Sequence, residues 1–410
     1  MQKKVPHTSN QFRSKIAELY QSESKPCKLI PWAQSSTISK GLFALMLCIV
    51  TAGVYAQGML STLAMSKMNT SQRVEQGLQT HADHIYRLKA AKTPRVLPPM
   101  PWSESLQSEA KTYARNTQAT VVLEAGHLVY ESYGSGVQPN SLLHGYSIAK
   151  SLTAFAVGEA LCAGHIKSLD DLAQDYVPAL KDTAYGQTSI RNLLGYTSGA
   201  EDPGGSGYEG IHSYSDFGSM MDQKLSLEDL LKNYGKYSRY KSGEKFIYNG
   251  LNSEALSLVI RVATGMSLPA WFEATVWQEA GAEYPAAWFL DREGNGVAEV
   301  LTFMSARDHA RIGLYVLERL NDQAGSACIR NFFKQATQPL ITKGYWWSYP
   351  KFGLGLHNGE DGFPWLLGAY GQRIGVNPKN QRVFTTLSNA DLRTTDSGAQ
   401  AILSRPAPTN

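Results

Sequence analysis

Four cysteines in 410 residues, at positions 27, 48, 162 and 328, are too few and too widely spaced for a disulfide scaffold. No CxxC pair or Cys/His cluster offers a zinc site, and no metal is implied. Charge is scarce as well: 18% of residues are Asp, Glu, Lys or Arg, against 43% hydrophobic. Long apolar runs are confined to one segment, which excludes a polytopic membrane protein. GxxxxGK[ST], GxGxxG after a strand, HExxH and GxSxG are all missing, and with them the usual signatures of nucleotide, zinc-protease and elbow-serine sites. No cofactor is implied. The length does allow a large core and two or three structural units.

The net charge of +4 is unevenly placed. Residues 1–40 hold seven Lys/Arg and two acids, a balance of +5, so the remaining 370 residues carry −1. A basic surplus held in one tail disfavours a nucleic-acid partner. Residues 41–66, GLFALMLCIVTAGVYAQGMLSTLAMS, contain no Asp, Glu, Lys, Arg or His. A helix needs about 20 mainly apolar residues to cross a bilayer, and basic residues stay on the cytoplasmic side. The expectation is a basic cytoplasmic tail (1–40) and a signal anchor in the bilayer (41–63). It places the body outside the cytoplasm, at a bacterial inner membrane. A cleaved signal is the alternative: Val54 and Ala56 are small residues at −3 and −1 of a cut near Ala56. Cys162 and Cys328 have the option of pairing; the reading adopted is two separate buried thiols.

Residues 64–101 are expected to be stalk and linker. Val74, Leu78, His81, Ile85 and Leu88 form one narrow stripe at spacings of 4, 3, 4 and 3. Two readings stay open, a weakly self-associating stalk through 74–88 and a helix lying on the body. His81 and His84 are read as solvated. The proline-rich TPRVLPPMP (93–101) marks a boundary, and the main domain spans 102–410. TVVLEAGHLVYESYG (120–134) predicts two strands around a Gly turn, Val121–Leu123 and Leu128–Tyr133. Helical patterns follow at 147–163, 226–233, 251–264 and 305–319, and strands at FGLGLHN (352–358), GQRIGVNP (371–378) and RVFTTLSN (382–389). Strands first and last, with helices between, predict an α+β fold with a mainly antiparallel sheet and a helical subdomain. The Gly-rich PGGSGYEG (203–210) lacks a following Lys-Ser/Thr and reads as a loop beside a pocket.

Ser-x-x-Lys occurs six times, starting at Ser22, Ser108, Ser147, Ser238, Ser242 and Ser348. Ser22 precedes the membrane run, Ser108 sits on a polar helix with Glu104, Glu109 and Lys111, Ser238 and Ser242 lie in KYSRYKSGEK, and Pro350 interrupts the last. Ser147 differs. SIAKSLTAFAVGEALCAG (147–164) has only two charged residues, Lys150 and Glu159, so it reads as a core helix ending at Gly164. At i and i+3, Ser147 and Lys150 share a face. Free N–H groups and the dipole at the helix start favour developing negative charge. A serine hydroxyl needs an assisting base or cation to act as nucleophile. The bland alternative is an N-cap Ser followed by a snorkelling Lys. A Ser/His/Asp arrangement through His144 is a rival.

HGYSIAKSLTAFAVGEAL resembles the active-site helix of the serine β-lactamase and penicillin-binding-protein superfamily. More narrowly it resembles the class C branch with its esterases and 6-aminohexanoate-dimer hydrolases. The resemblance runs over roughly residues 115–400 and includes IRNLLGYTSGAEDP (190–203), SGEKFIYNGLNSEALSLVIRVATGMSL (242–268), LDREGNGVAEVLTFMSARDHARIGLYVL (290–317) and GAYGQRIGVNP (368–378). It implies Ser147 as nucleophile and Tyr248, of the Tyr-x-Asn element, as a base assisted by Lys150. The Asn of that element is Gly250 here; Asn252 matches a second Asn and is carried as a substrate-binding candidate. Gly368 matches the Gly of Lys-Thr-Gly, with Leu366 and Leu367 in place of Lys and Thr. By resemblance the Ala369 N–H would join the Ser147 N–H in an oxyanion hole; a plain turn is the alternative for 368–371. Tyr345, Trp346 and Trp347 read as core packing or as a pocket wall.

The resulting expectation is a serine hydrolase acting on a small-molecule or peptide-like ester or amide. A D,D-peptidase or β-lactamase and a non-catalytic binding module are the rivals. Arg373 is the nearest cation in sequence able to receive a substrate carboxylate.

Overall fold

The computed structural model describes residues 70–200, 224–342, 349–388 and 396–406. The basic tail, the 41–63 segment, the Gly-rich 203–210 and Tyr345-Trp346-Trp347 lie outside the described residues.

In chain order the strands are β1 (Ile85–Leu88), β2 (Ala119–Glu124), β3 (His127–Tyr133), β4 (Leu143–His144), β5 (Ala286–Phe289) and β6 (Thr302–Met304). They continue with β7 (Ile341–Thr342), β8 (Lys351–Phe352), β9 (His357–Asn358), β10 (Pro364–Gly368), β11 (Gln372–Asn377) and β12 (Arg382–Leu387). Two sheets result, β1-β5-β6-β4 and β3-β2-β12-β11-β10-β9-β8-β7, and every pairing between these strands is antiparallel. The N-terminal hairpin β2–β3 therefore pairs with the C-terminal meander, in the α+β arrangement expected from strands at both ends of the chain.

Strands β2, β10, β11 and β12 of the large sheet are buried along their whole length because both faces are covered, so alternate side chains enter different cores. Val121 and Leu123 of β2, Leu366 of β10 and Val383 and Leu387 of β12 join the main core. Val122, Trp365, Leu367 and Phe384 point the other way into a second core with Trp102, Leu106, Ile402 and Leu403. The Ala306–Leu320 helix covers the first face; the Glu104–Ala114 and Asp396–Ser404 helices cover the second. The Ile148–Cys162 helix is buried nearly all round, as its lack of a polar face requires, and packs against the Leu251–Thr264 and Ala327–Ala336 helices.

Three expectations are corrected. Cys162 and Cys328 form a disulfide that joins the Ile148–Cys162 helix to the Ala327–Ala336 helix, so they are not separate thiols. Residues 74–88 are not one helix: the first part lies on the body as a helix, as one of the two readings had it, and the second part is a strand. The helix Thr70–Thr80 ends before Ile85, and 85–88 is β1, hydrogen-bonded to β5; Leu78 and Leu88 are buried in the main core. The stripe at 4-3-4-3 spacing was real, but pairing with an available sheet edge decided its second half. FGLGLHN is not one strand either: Gly355, at φ 73°, turns the chain between β8 and β9, and its carbonyl accepts from the Ser151 hydroxyl at 2.7 Å.

Candidate active site

Ser147 opens the Ile148–Cys162 helix. The residue before it, Tyr146, has left-handed backbone (φ 49°), uncommon for a bulky side chain and the kind of strain that clusters at functional sites. Its ring is held by stacking on His144, at 3.7 Å between centroids, with Phe303 on the other side of that imidazole. His144 takes the Leu301 N–H on Nε2 at 3.3 Å. Burial, with His309 nearby, pushes its pKa down to about 3. With Nε2 engaged by the backbone and the ring held neutral by burial, His144 is occupied in supporting the turn before Ser147, which weighs against the Ser/His/Asp rival.

Lys150 lies one turn into the helix and is 7% exposed. Its ammonium donates to Ser147 Oγ at 3.1 Å and to the Glu299 carbonyl at 2.8 Å, and stands 3.9 Å from Glu299 Oε2. A buried ammonium without partners would be expensive. The carboxylate alone offers roughly 4 kcal/mol of attraction at an effective dielectric of 20, before desolvation is counted. Tyr248, 8% exposed, places its ring with the centroid 5.3 Å from Lys150 Nζ. Around it stand Tyr196, Phe246 and His357. Tyr196 exchanges a 2.6 Å hydrogen bond with Ser253 Oγ, and its burial raises its pKa well above the ordinary phenol value, so it stays neutral. Ser147, Lys150 and Tyr248, separated by up to 101 positions, are thus brought to one place.

Gly368 and Ala369 also reach the site. A Cβ at 368 would lie 2.3 Å from the Gly145 carbonyl oxygen, so only glycine lets the end of β10 pass this close to the 145–147 turn. Arg373 donates to the Gly368 carbonyl at 3.0 Å. The C=O and N–H of a trans peptide point oppositely, so this anchor also fixes the direction of the Ala369 N–H. Residues 369–371 form a tight, kinked turn between β10 and β11. Tyr370 within it has φ 59° and brings its ring to 5.2 Å from that of Tyr146.

Asn252 is buried in the first turn of the Leu251–Thr264 helix, where its Nδ2 donates to the Asn249 carbonyl at 2.7 Å, a local helix-start bond. Arg373 is no spare cation: besides Gly368 it donates to Asp396 Oδ1 and the Gln372 carbonyl, both at 2.8 Å. The sequence reading missed Glu299, Tyr146, Tyr196 and Tyr370. The signal for Glu299 was Gly250, since a missing side chain in a tight site leaves a space that another must fill. Among the described residues no cluster of His, Cys, Asp or Glu could hold a metal ion.

A family model described as Beta-lactamase matches residues 102–407. The 6-aminohexanoate-dimer hydrolase of Paenarthrobacter ureafaciens is 23% identical over 293 residues, which are 67% of this chain and 72% of that protein. Among solved structures, a Bacillus anthracis protein described as a 6-aminohexanoate-dimer hydrolase superposes with a TM-score of 0.65 at 21% identity, over 78% of this chain and 90% of its own. EstCE1, a hydrolase with promiscuous acyltransferase activity, gives 0.58 at 16% identity, over 73% and 97%.

Proposed function

The chain belongs to the beta-lactamase family, and from that premise we propose that it is a serine hydrolase that cleaves an ester or amide bond through an acyl-enzyme on Ser147. The observation that carries the reading is the Lys150 ammonium 3.1 Å from Ser147 Oγ with the Tyr248 ring beside it. In this reading Ser147 Oγ attacks the carbonyl carbon as Tyr248, assisted by Lys150, takes its proton. The Ser147 and Ala369 N–H groups receive the negative charge on the carbonyl oxygen. Tyr248 returns the proton to the leaving oxygen or nitrogen, and water then releases the acyl group by the same steps in reverse order. The names of the relatives, a 6-aminohexanoate-dimer hydrolase and a hydrolase with promiscuous acyltransferase activity, support a small acyl substrate. Labelling with a fluorophosphonate tests the reading: wild type should take up one label and Ser147→Ala none, whereas a non-catalytic binding module would take up none in either.

We also propose that residues 41–63 anchor the protein in the bacterial inner membrane with its body outside the cytoplasm. The uncharged run behind a +5 leader supports this. So does the Cys162–Cys328 disulfide, a bond that persists mainly in oxidising compartments. A reporter active only outside the cytoplasm, fused at Asn410, should be active, and the protein should resist carbonate extraction. A mature N-terminus at Gln57 would instead show cleavage, and an inactive reporter would reject export.

A further inference from the structure

Position 250 has no side chain, and the space one would take is filled by the carboxyl group of Glu299. A Cβ built at 250 would lie 1.4 Å from Glu299 Oε2 and 2.6 Å from its Cδ. The same residue meets the Lys150 ammonium twice, through its carbonyl at 2.8 Å and its carboxylate at 3.9 Å. Residue 299 is itself fixed. Its N–H donates to Glu254 Oε1 at 3.1 Å, and the Ala298 N–H donates to Glu254 Oε2 at 2.9 Å. Glu254 stands in the first turn of the Leu251–Thr264 helix, directly after Gly250. One helix start therefore both leaves the space and clamps the segment that fills it.

We propose that Glu299 is a positioning residue for the chemistry at Ser147: its carboxylate, seated in the space at Gly250, is the counter-ion that holds the Lys150 ammonium against Ser147 Oγ. The inference rests on the serine-hydrolase reading above. It assigns to this chain a buried anion where the related motif places a neutral carboxamide on residue 250. The titratable groups that face the carboxylate are Lys150 from the Ile148–Cys162 helix, Glu254 from the Leu251–Thr264 helix and Tyr196, with the Tyr248 ring beside Lys150. Burial and the nearby Glu299 carboxylate push Glu254 above the usual carboxylate range, while the N–H groups of Ala298 and Glu299 pull the other way. Loss of a carboxylate this close to Lys150 changes how readily its neighbours hold protons.

The test follows hydrolysis of p-nitrophenyl butyrate across pH by the full-length protein in mild detergent. It compares wild type, Ser147→Ala, Glu299→Gln and the double variant Gly250→Asn/Glu299→Ala, with thermal unfolding measured on each. Ser147→Ala should be inactive. Glu299→Gln, nearly isosteric, should unfold at the wild-type temperature and lose roughly ten- to hundredfold in kcat with KM little changed. Its acid limb of kcat/KM should move to lower pH by about one unit, because removing a nearby anion disfavours protonation of the base. Should Glu299→Gln unfold, the double variant, which puts a carboxamide into the same space, carries the same test and should show the same displaced limb. A folded Glu299→Gln with wild-type kcat and an unmoved limb, beside an inactive Ser147→Ala, overturns the inference alone. An active Ser147→Ala overturns the hydrolase reading and the inference with it.

Discussion

A substrate that carries a carboxylate next to its scissile bond, as β-lactams and D-Ala-terminated peptides do, should be turned over at least about a hundredfold less efficiently than a neutral ester. The strand that passes the Ser147 turn ends in Leu366, Leu367 and Gly368, and both leucines are buried in apolar clusters. Arg373 lies across from Leu367 in the β10–β11 register, close enough to serve as a receptor. Its guanidinium, however, is buried and divided among Asp396, Gly368 and Gln372. Freeing it would strand Asp396, and breaking a buried pair costs about 3–5 kcal/mol. A carboxylate left without a partner in a dry site costs several kcal/mol. Even ~3 kcal/mol expressed in the transition state is about a hundredfold in rate. The assay is kcat/KM for a chromogenic cephalosporin against p-nitrophenyl butyrate at one pH and salt concentration. A cephalosporin value equal to or above the ester value would refute the reasoning, and Arg373→Ala would then show whether this side chain had left Asp396 for the substrate.

Lys150→Ala and Tyr248→Phe should each lower kcat by several orders of magnitude while far-ultraviolet circular dichroism stays unchanged, since each removes a group that touches the reacting atoms in the proposed chemistry. Cys328→Ser should lower stability to urea by about 2–4 kcal/mol, because the bridge closes a loop of 166 residues that the unfolded chain otherwise keeps open. Stability should also fall on acidification. Burial pushes His144 down to about 3 and His309 to about 4 from an ordinary 6.5, so the unfolded chain binds these protons first. Their contribution is whole above pH 6.5 and is lost as pH falls towards the folded values, on the order of 2 kcal/mol each between pH 7 and 5. Unfolding temperature against pH should therefore drop over that range, and less steeply in His144→Phe.

Helices were legible wherever a face or a whole segment is apolar. Those expected at 147–163, 226–233, 251–264 and 305–319 are Ile148–Cys162, Leu227–Tyr234, Leu251–Thr264 and Ala306–Leu320. The hairpin 120–134 and the meander 371–389 were readable because β-branched runs bounded by turn residues leave little choice. Residues 85–88 were misread because four residues of mixed polarity take their state from the strand they meet, here β5. The Cys162–Cys328 bond was invisible because two helices 166 positions apart must first be packed before their sulfurs meet. Within the site, Ser147 and Lys150 are neighbours on a helix, so local spacing revealed them. Glu299 acts across 149 positions through one hydrogen bond and one ion pair, and only the glycine at 250 hinted at it.

The most direct test of the central claim is the mass of the intact protein after exposure to a fluorophosphonate, followed by peptide mapping. The account predicts one adduct, on the hydroxyl of Ser147, formed by wild type, much slower in Lys150→Ala and absent in Ser147→Ala. An adduct on any other residue, or equal labelling of Ser147→Ala, would contradict it.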